Sequence, residues 1–215
     1  MIAGVDEAGK GAVLGPLVVA AVAAPGWEAV ADLGRRDSKA LPPQRRKEVC
    51  AEIVATLPFS IVEVSADAID TARAGETMNG IVARAHAAAL QGLAASGHLF
   101  RLAYLDACDV REGRYAVTVA RLYDPGCTVV ACHHADSLLS VVAAASVVAK
   151  VHRDRAIRSL AEEHGSIGSG YPSDPATRRF LDECIADGGP LPPFVRATWR
   201  TVADRLHARA QTSLF

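Results

Sequence analysis

Met1-Ile2-Ala3-Gly4-Val5-Asp6-Glu7-Ala8-Gly9-Lys10-Gly11 opens the chain, and Leu17 to Ala24 follows Gly15-Pro16. Met1 to Val5 is a short apolar run that ends on two acids. It predicts a buried strand delivering Asp6 and Glu7 at its C-terminal end. Gly9, Gly11 and Gly15 supply turn residues, and Val18 to Ala24 predicts a second strand, so the chain starts as a hairpin.

The same pattern recurs further along. Leu102 to Leu105 is an apolar run closed by Asp106, and Thr128 to Cys132 is another, with Asp136 just beyond. Phe59 to Val64 alternates as a strand does. Pro42-Pro43 predicts a helix through Arg45 to Leu57, with proline in a tolerated first-turn position. Helical periodicity covers Thr77 to Ala95, Ser137 to Glu163 with an interruption, Asp174 to Asp187, and Phe194 to Ala210. Gly165 to Pro175 reads as a loop. Strands fall in the first two thirds and helices dominate the end, so the fold class is α/β with a helical C-terminal extension.

Bulk properties narrow the setting. At 215 residues, 50% hydrophobic and 22% charged, the chain suits one globular domain with a small appendage. The five cysteines include no CxxC pair, which favours free thiols in a reducing compartment. Lys10 and the apolar run Val13 to Ala24 superficially resemble a signal peptide. Asp6 and Glu7 stand where such a leader carries positive charge, and Gly15-Pro16 breaks the run, so a mature cytoplasmic chain is expected. No apolar stretch approaches the ~20 residues of a membrane helix, and a monomer is the default. The net charge of −1 shows no global field for a polyanion. Local basic clusters do occur at Arg45-Arg46-Lys47 and from Lys150 through Arg153 to Arg158, as solvated helix faces or as phosphate contacts.

Three strand ends presenting Asp6 with Glu7, Asp106 and Asp136 suggest one sheet edge rich in carboxylates. Such a cluster repels itself unless cations neutralise it. Oxygen donors suit Mg²⁺ or Mn²⁺, and no Cys/His set has zinc spacing. Two such ions roughly 3.5–4 Å apart can drive phosphodiester hydrolysis. Spacing alone leaves open the other reading, in which each aspartate forms a turn or caps a helix. His133 and His134, taken as adjacent strand positions, would face opposite ways and so make a poor ligand pair.

The block Gly4 to Gly11 followed by Gly15-Pro16-Leu17 closely resembles the opening of ribonuclease HII enzymes. Asp37-Ser38-Lys39 resembles that family's DSK motif, and Tyr104 to Asp109 its strand bearing the third acid. Ala135-Asp136 with Ala143 to Lys150 resembles the fourth acid and its helix, and Gly168 to Asp174 the loop carrying its sugar-sensing tyrosine. The blocks stand in family order from residue 2 to about 200.

The resemblance implies a ribonuclease H-like fold with a mixed five-stranded sheet flanked by helices. Residues 1–165 would form the catalytic domain, 166–210 the helical extension and 211–215 a short tail. Asp6, Glu7, Asp106 and Asp136 would be the catalytic metal ligands for two Mg²⁺ or Mn²⁺ ions. Gly9, Lys10 and Gly11 would contact the ribonucleotide 2′-hydroxyl, the group that separates RNA from DNA. Tyr171 would meet the sugar at the RNA–DNA junction, and Ser38, Lys39 and Lys150 would line the groove. The substrates implied are RNA–DNA hybrids and ribonucleotides embedded in duplex DNA, cut to leave 3′-hydroxyl and 5′-phosphate ends.

Some positions depart from the family pattern. Lys10 replaces a more usual arginine and loses its planar fork, and Ala12 stands where proline is common. Cys132 and His134 flank His133 in place of glutamate and lysine. Gln211-Thr212-Ser213-Leu214-Phe215 resembles the beginning of a sliding-clamp-binding motif, with Gln211, Leu214 and Phe215 as its contacts. Two rivals are weighed. The sister ribonuclease HIII group usually adds an N-terminal domain before the catalytic strand on which this chain opens. A non-catalytic nucleic-acid-binding module would gain nothing from clustered acids that repel phosphate.

Overall fold

The computed structural model describes residues 1–31, 41–123 and 126–212. Strands β1 (Ile2–Ala8), β2 (Leu17–Ala24), β3 (Phe59–Val64), β4 (Leu102–Asp106) and β5 (Thr128–Cys132) form one sheet in the order β3-β2-β1-β4-β5. β2 runs antiparallel to β1, whereas β1, β4 and β5 are parallel, so the sheet is mixed. The α-helices are α1 (Pro43–Thr56), α2 (Ala66–Arg73), α3 (Met78–Ala95), α4 (Glu112–Tyr123), α5 (Ala135–Leu138), α6 (Ser140–His164), α7 (Pro175–Asp187) and α8 (Arg200–Thr212). No helix among the described residues is long and apolar enough to cross a membrane.

Side-chain size decides how these elements pack. β2 is buried along its whole length, as a Val/Ala run without alternation requires of a strand covered on both faces. A Cβ on Gly4 would overlap the Val141 carbonyl of α6. The helix therefore lies against β1 only because residue 4 has no side chain. Parallel register pairs Val5 with Leu105 and Asp106 with Cys132, which brings the acid-bearing ends of β1 and β4 to the same edge.

The chain packs as two compact units. The first contains Met1–Ala8, Val18–Glu63 and Asn79–His152, and the second Gly9–Leu17, Val64–Met78 and Arg153–Phe215. A core of Val22, Ile53, Val141, Val142, Val148 and their neighbours fills the first. The second has its own core, built from Leu14, Ile167, Phe180, Leu181, Phe194 and Val202.

Several expected elements change. The interruption expected in the long helix falls at Leu139, which is extended and separates α5 from α6. The last helix starts at Arg200 rather than Phe194. Residues 194–196 instead pair with the turn after β1: Leu14 bridges Val195, Gly15 N–H donates to Phe194 O at 2.8 Å, and Arg196 N–H donates to Val13 O at 2.9 Å. Helices α2 and α4 were not foreseen. Ser65 caps α2 by accepting from Ala68 N–H at 3.1 Å. β5 stops at Cys132, so His133 and His134 are turn residues, not strand neighbours, and His134 takes a left-handed backbone (φ 56°) as the residue before α5.

Candidate active site

In the first unit, the alternation of β1 sends Asp6 and Glu7 to opposite faces of the sheet. Asp6, 5% exposed, shares its face with Gly4 and bonds Ser146 of α6, and its Oδ1 accepts from Glu7 N–H at 2.7 Å. Burial pushes its carboxyl well above the ordinary aspartate range, and the neighbouring charges of Glu7 and Asp106 push it further. Three acids therefore share one electrostatic environment, which three separate turn-forming aspartates would not do.

Glu7 looks the other way. Its Oε2 accepts from His86 Nε2 on α3 at 3.0 Å, and the other ring nitrogen, Nδ1, is 3.1 Å from the Tyr115 hydroxyl of α4. Asp106, the last residue of β4, accepts from Ala135 N–H at 2.8 Å. Asp136 is the next residue, buried in the first turn of α5, with Ser137 Oγ 3.4 Å from its Oδ1. The turn carrying Asp136 is thus tied to the strand carrying Asp106. Among the described residues no three acid, imidazole or thiolate side chains stand together closely enough to hold a metal ion as they are placed. The acids are held by different backbone and side-chain donors.

The glutamate missing at position 132 has a neighbour in its place. Glu112 of α4 accepts from His133 N–H at 2.6 Å and, after burial, raises the Cys132 thiol, with Asp106 adding to the effect. Lys150 lies half-buried on α6. Arg46, expected in an exposed basic cluster, is instead buried and donates to Leu41 O at 2.9 Å.

The second unit holds the glycine turn and Tyr171. Gly9 adopts φ +89°, and a Cβ there would overlap Arg153 and the Pro16 carbonyl. Around Gly11 nothing comes within 4 Å of that position. Gly9 is therefore a folding requirement, and Gly11 is the glycine that leaves room for an approaching ligand. Arg196, fully buried, donates through Nη1 to Lys10 O at 3.1 Å and through Nε and Nη2 to Gly15 O at 3.1 and 3.0 Å. One guanidinium thus fixes both ends of the turn.

Tyr171 is tied to the same turn. Gly170 O accepts from Val13 and Leu14 N–H at 2.8 and 3.1 Å. Arg153, 3% exposed, lies 4.6 Å from the Tyr171 ring centroid and donates to Ser169 O at 3.1 Å. It is an internal brace rather than a member of an exposed basic face. Buried Thr177 receives Gly170 N–H at 2.9 Å and donates to Ile167 O at 2.9 Å.

Ser38, Lys39, Leu214 and Phe215 lie outside the described residues, and Gln211 is exposed near the end of α8. The sequence reading missed His86, Tyr115, Ser146, Arg196 and Thr177. Each sits on a helix or in a segment whose pattern shows only packing, and each acquires its role through a partner at least seven residues away.

Residues 3–202 match the family model described as Ribonuclease HII. A ribonuclease HII of Methanospirillum hungatei is 50% identical over 214 residues, covering 100% of this chain and 99% of the relative. Among solved structures, the chain is similar to the structure of the PCNA:RNase HII complex from Archaeoglobus fulgidus (TM-score 0.86, 41% identity, 95% of this chain and 96% of that one). It is also similar to ribonuclease H2 from Pyrococcus horikoshii (TM-score 0.88, 36% identity, 98% and 99% covered).

Proposed function

Since the chain belongs to the ribonuclease HII family, and so is an endonuclease that cleaves RNA in RNA–DNA hybrids, we propose that Asp6, Glu7, Asp106 and Asp136 perform the hydrolysis by holding two divalent cations. The donor set fits that role. It consists of carboxylate oxygens, the ligands preferred by Mg²⁺ and Mn²⁺, and the Asp6 carboxyl, pushed up first by burial and then by the charges of Glu7 and Asp106, is one that a cation would relieve. The observation that carries the reading is geometric: parallel register sets the acid-bearing ends of β1 and β4 side by side, and the Ala135 N–H bond to Asp106 ties the turn bearing Asp136 to β4.

When bound, such ions activate water and neutralise charge developing on the phosphate. The chain's own residues do the rest. Ser146 and the Glu7 amide orient Asp6, and Ala135 N–H orients Asp106. In the second unit, Gly11 offers its main chain to the 2′-hydroxyl of a ribonucleotide, and Lys10 meets phosphate as a point charge. Tyr171, backed by Arg153, gives the junction sugar a rigid aromatic face. We extend the substrate to single ribonucleotides embedded in duplex DNA, cut on the 5′ side to leave 3′-hydroxyl and 5′-phosphate ends.

The test is a DNA duplex with one ribonucleotide, incubated with the protein and Mg²⁺ or Mn²⁺. Cleavage is expected to fall by more than about 100-fold in Asp6→Asn and Asp136→Asn, beyond the usual effect of outer partners of a metal site. Activity surviving both substitutions, or cutting of all-DNA duplexes, overturns the assignment. We also propose that Gln211, Leu214 and Phe215 contact a sliding clamp, supported by the PCNA complex of the Archaeoglobus relative. Equal clamp affinity with and without residues 211–215 would remove that part.

A further inference from the structure

α3 presents an alanine- and leucine-rich buried face, with Ala83, Ala87, Ala89, Leu90 and Leu93 all covered. His86 interrupts it and is itself 0% exposed. A buried imidazole costs free energy unless both nitrogens are satisfied, and here both are. Nε2 lies 3.0 Å from Glu7 Oε2 and Nδ1 lies 3.1 Å from the hydroxyl of Tyr115, which is 2% exposed. The two rings pack edge to face at 5.7 Å.

A carboxylate oxygen only accepts, so Nε2–H donates to Glu7 Oε2, and Nδ1 of the neutral ring accepts from the Tyr115 O–H. The chain Tyr115–His86–Glu7 therefore aims at one oxygen of an acid from its buried side.

We propose that His86, held by Tyr115, is a positioning residue that fixes the Glu7 carboxylate for divalent-cation binding. This rests on the reading of Glu7 as a cation ligand. With Oε2 bonded to His86, the carboxylate plane is fixed in the orientation in which it would meet a cation. Losing the imidazole frees the carboxylate to rotate and weakens the ion's hold, by the 10- to 100-fold typical when a partner orienting a ligand is removed.

Calorimetric titration of the full-length protein with MnCl₂, in the absence of nucleic acid, tests this directly. His86→Phe keeps the ring volume without the donor and is expected to weaken Mn²⁺ binding about tenfold or more. His86→Gln can still donate from a similar position and is expected to restore most of that loss. In cleavage assays the half-saturating Mn²⁺ concentration should rise for His86→Phe while KM for the duplex stays the same. Wild-type Mn²⁺ affinity in His86→Phe, or a His86→Gln variant as weak as His86→Phe, overturns the proposal. Should His86→Phe fail to fold, Tyr115→Phe removes only a hydroxyl. It is expected to weaken Mn²⁺ binding in the same direction, and unchanged affinity in that folded variant also overturns the proposal. Glu7→Gln separates the two levels. Unchanged Mn²⁺ binding there sinks the ligand reading itself, whereas a loss in Glu7→Gln without one in His86→Phe sinks only the role of His86.

Discussion

Asp6 combines burial with two acidic neighbours, and both raise its carboxyl above the ordinary value, which is about 3.9 in an unfolded chain. A raised carboxyl makes the folded state bind more protons than the unfolded one, so stability falls as pH rises. In chelator, the melting temperature should therefore drop as pH climbs from about 4 through the folded value of Asp6, then level off. Asp6→Asn should flatten that slope and melt higher than wild type at neutral pH, although it abolishes cleavage. A wild-type slope persisting in Asp6→Asn would show that other groups control it. The two glycines also separate by residue. Gly9→Ala, forced into φ +89° against Arg153, should cost at least about 1 kcal/mol in denaturant melts. Gly11→Ala meets nothing, so its stability should stay within about 0.5 kcal/mol while ribonucleotide cleavage falls. Both glycines were legible in the sequence as a motif. Their different duties were not, because backbone angle and neighbours distinguish them.

At the scale of elements, the strands and the acids closing β1 and β4 were legible, since apolar runs closed by Asp or Glu need no partner to be recognised, whereas Asp136, expected at a strand end, lies in the first turn of α5. The start of α8 was not legible. Phe194 to Trp199 carries helical periodicity, but its backbone is taken by the turn after β1 through Val13, Leu14 and Gly15. Tertiary pairing wins over local pattern there, and Arg196 acquires its three carbonyl partners as a result. The start of α7 was legible because Asp174 is an N-cap followed by proline. Asp174 does a second job: besides Ala176 N–H at 2.9 Å, it accepts from Ser169 N–H at 2.6 Å, two residues before Tyr171. These bonds hold its carboxyl below the ordinary value. The stability it confers is therefore present above about pH 4 and lost as pH falls through its folded value. Asp174→Ala should cost about 1 kcal/mol, as the loss of a helix cap does. It should also slow cleavage of the single-ribonucleotide duplex more than it weakens Mn²⁺ binding. Equal effects on both would argue against a loop-specific role.

For the whole molecule, the two compact units do not follow one cut in the chain. Residues 166–210 fall wholly inside the second unit, which also takes in Gly9–Leu17 and Val64–Met78; no linear reading of composition foretells such an exchange of segments. The distribution of charge has a consequence at the same scale. The net charge is −1, so no global field draws in a polyanion. Arg46, Arg153 and Arg196 are buried among carbonyls and rings, which removes three cations from the surface that composition alone would credit. Among the basic side chains that remain, Lys10 on the glycine turn and Lys150 on α6 are two whose phosphate contact the salt dependence of binding can test. Each phosphate contact contributes about 0.9 to the slope of log affinity against log salt. Measured in an inactive Asp136→Asn background, Lys150→Gln should lower that slope by about this amount. It should weaken hybrid, single-ribonucleotide and all-DNA duplexes alike, because a point charge on phosphate carries no sugar information. Lys10→Gln should lower the slope similarly but also narrow the preference for ribonucleotide-containing duplex, since its neighbour Gly11 is the residue proposed to read the sugar. Identical behaviour of the two variants would show that Lys10 acts as a phosphate charge alone.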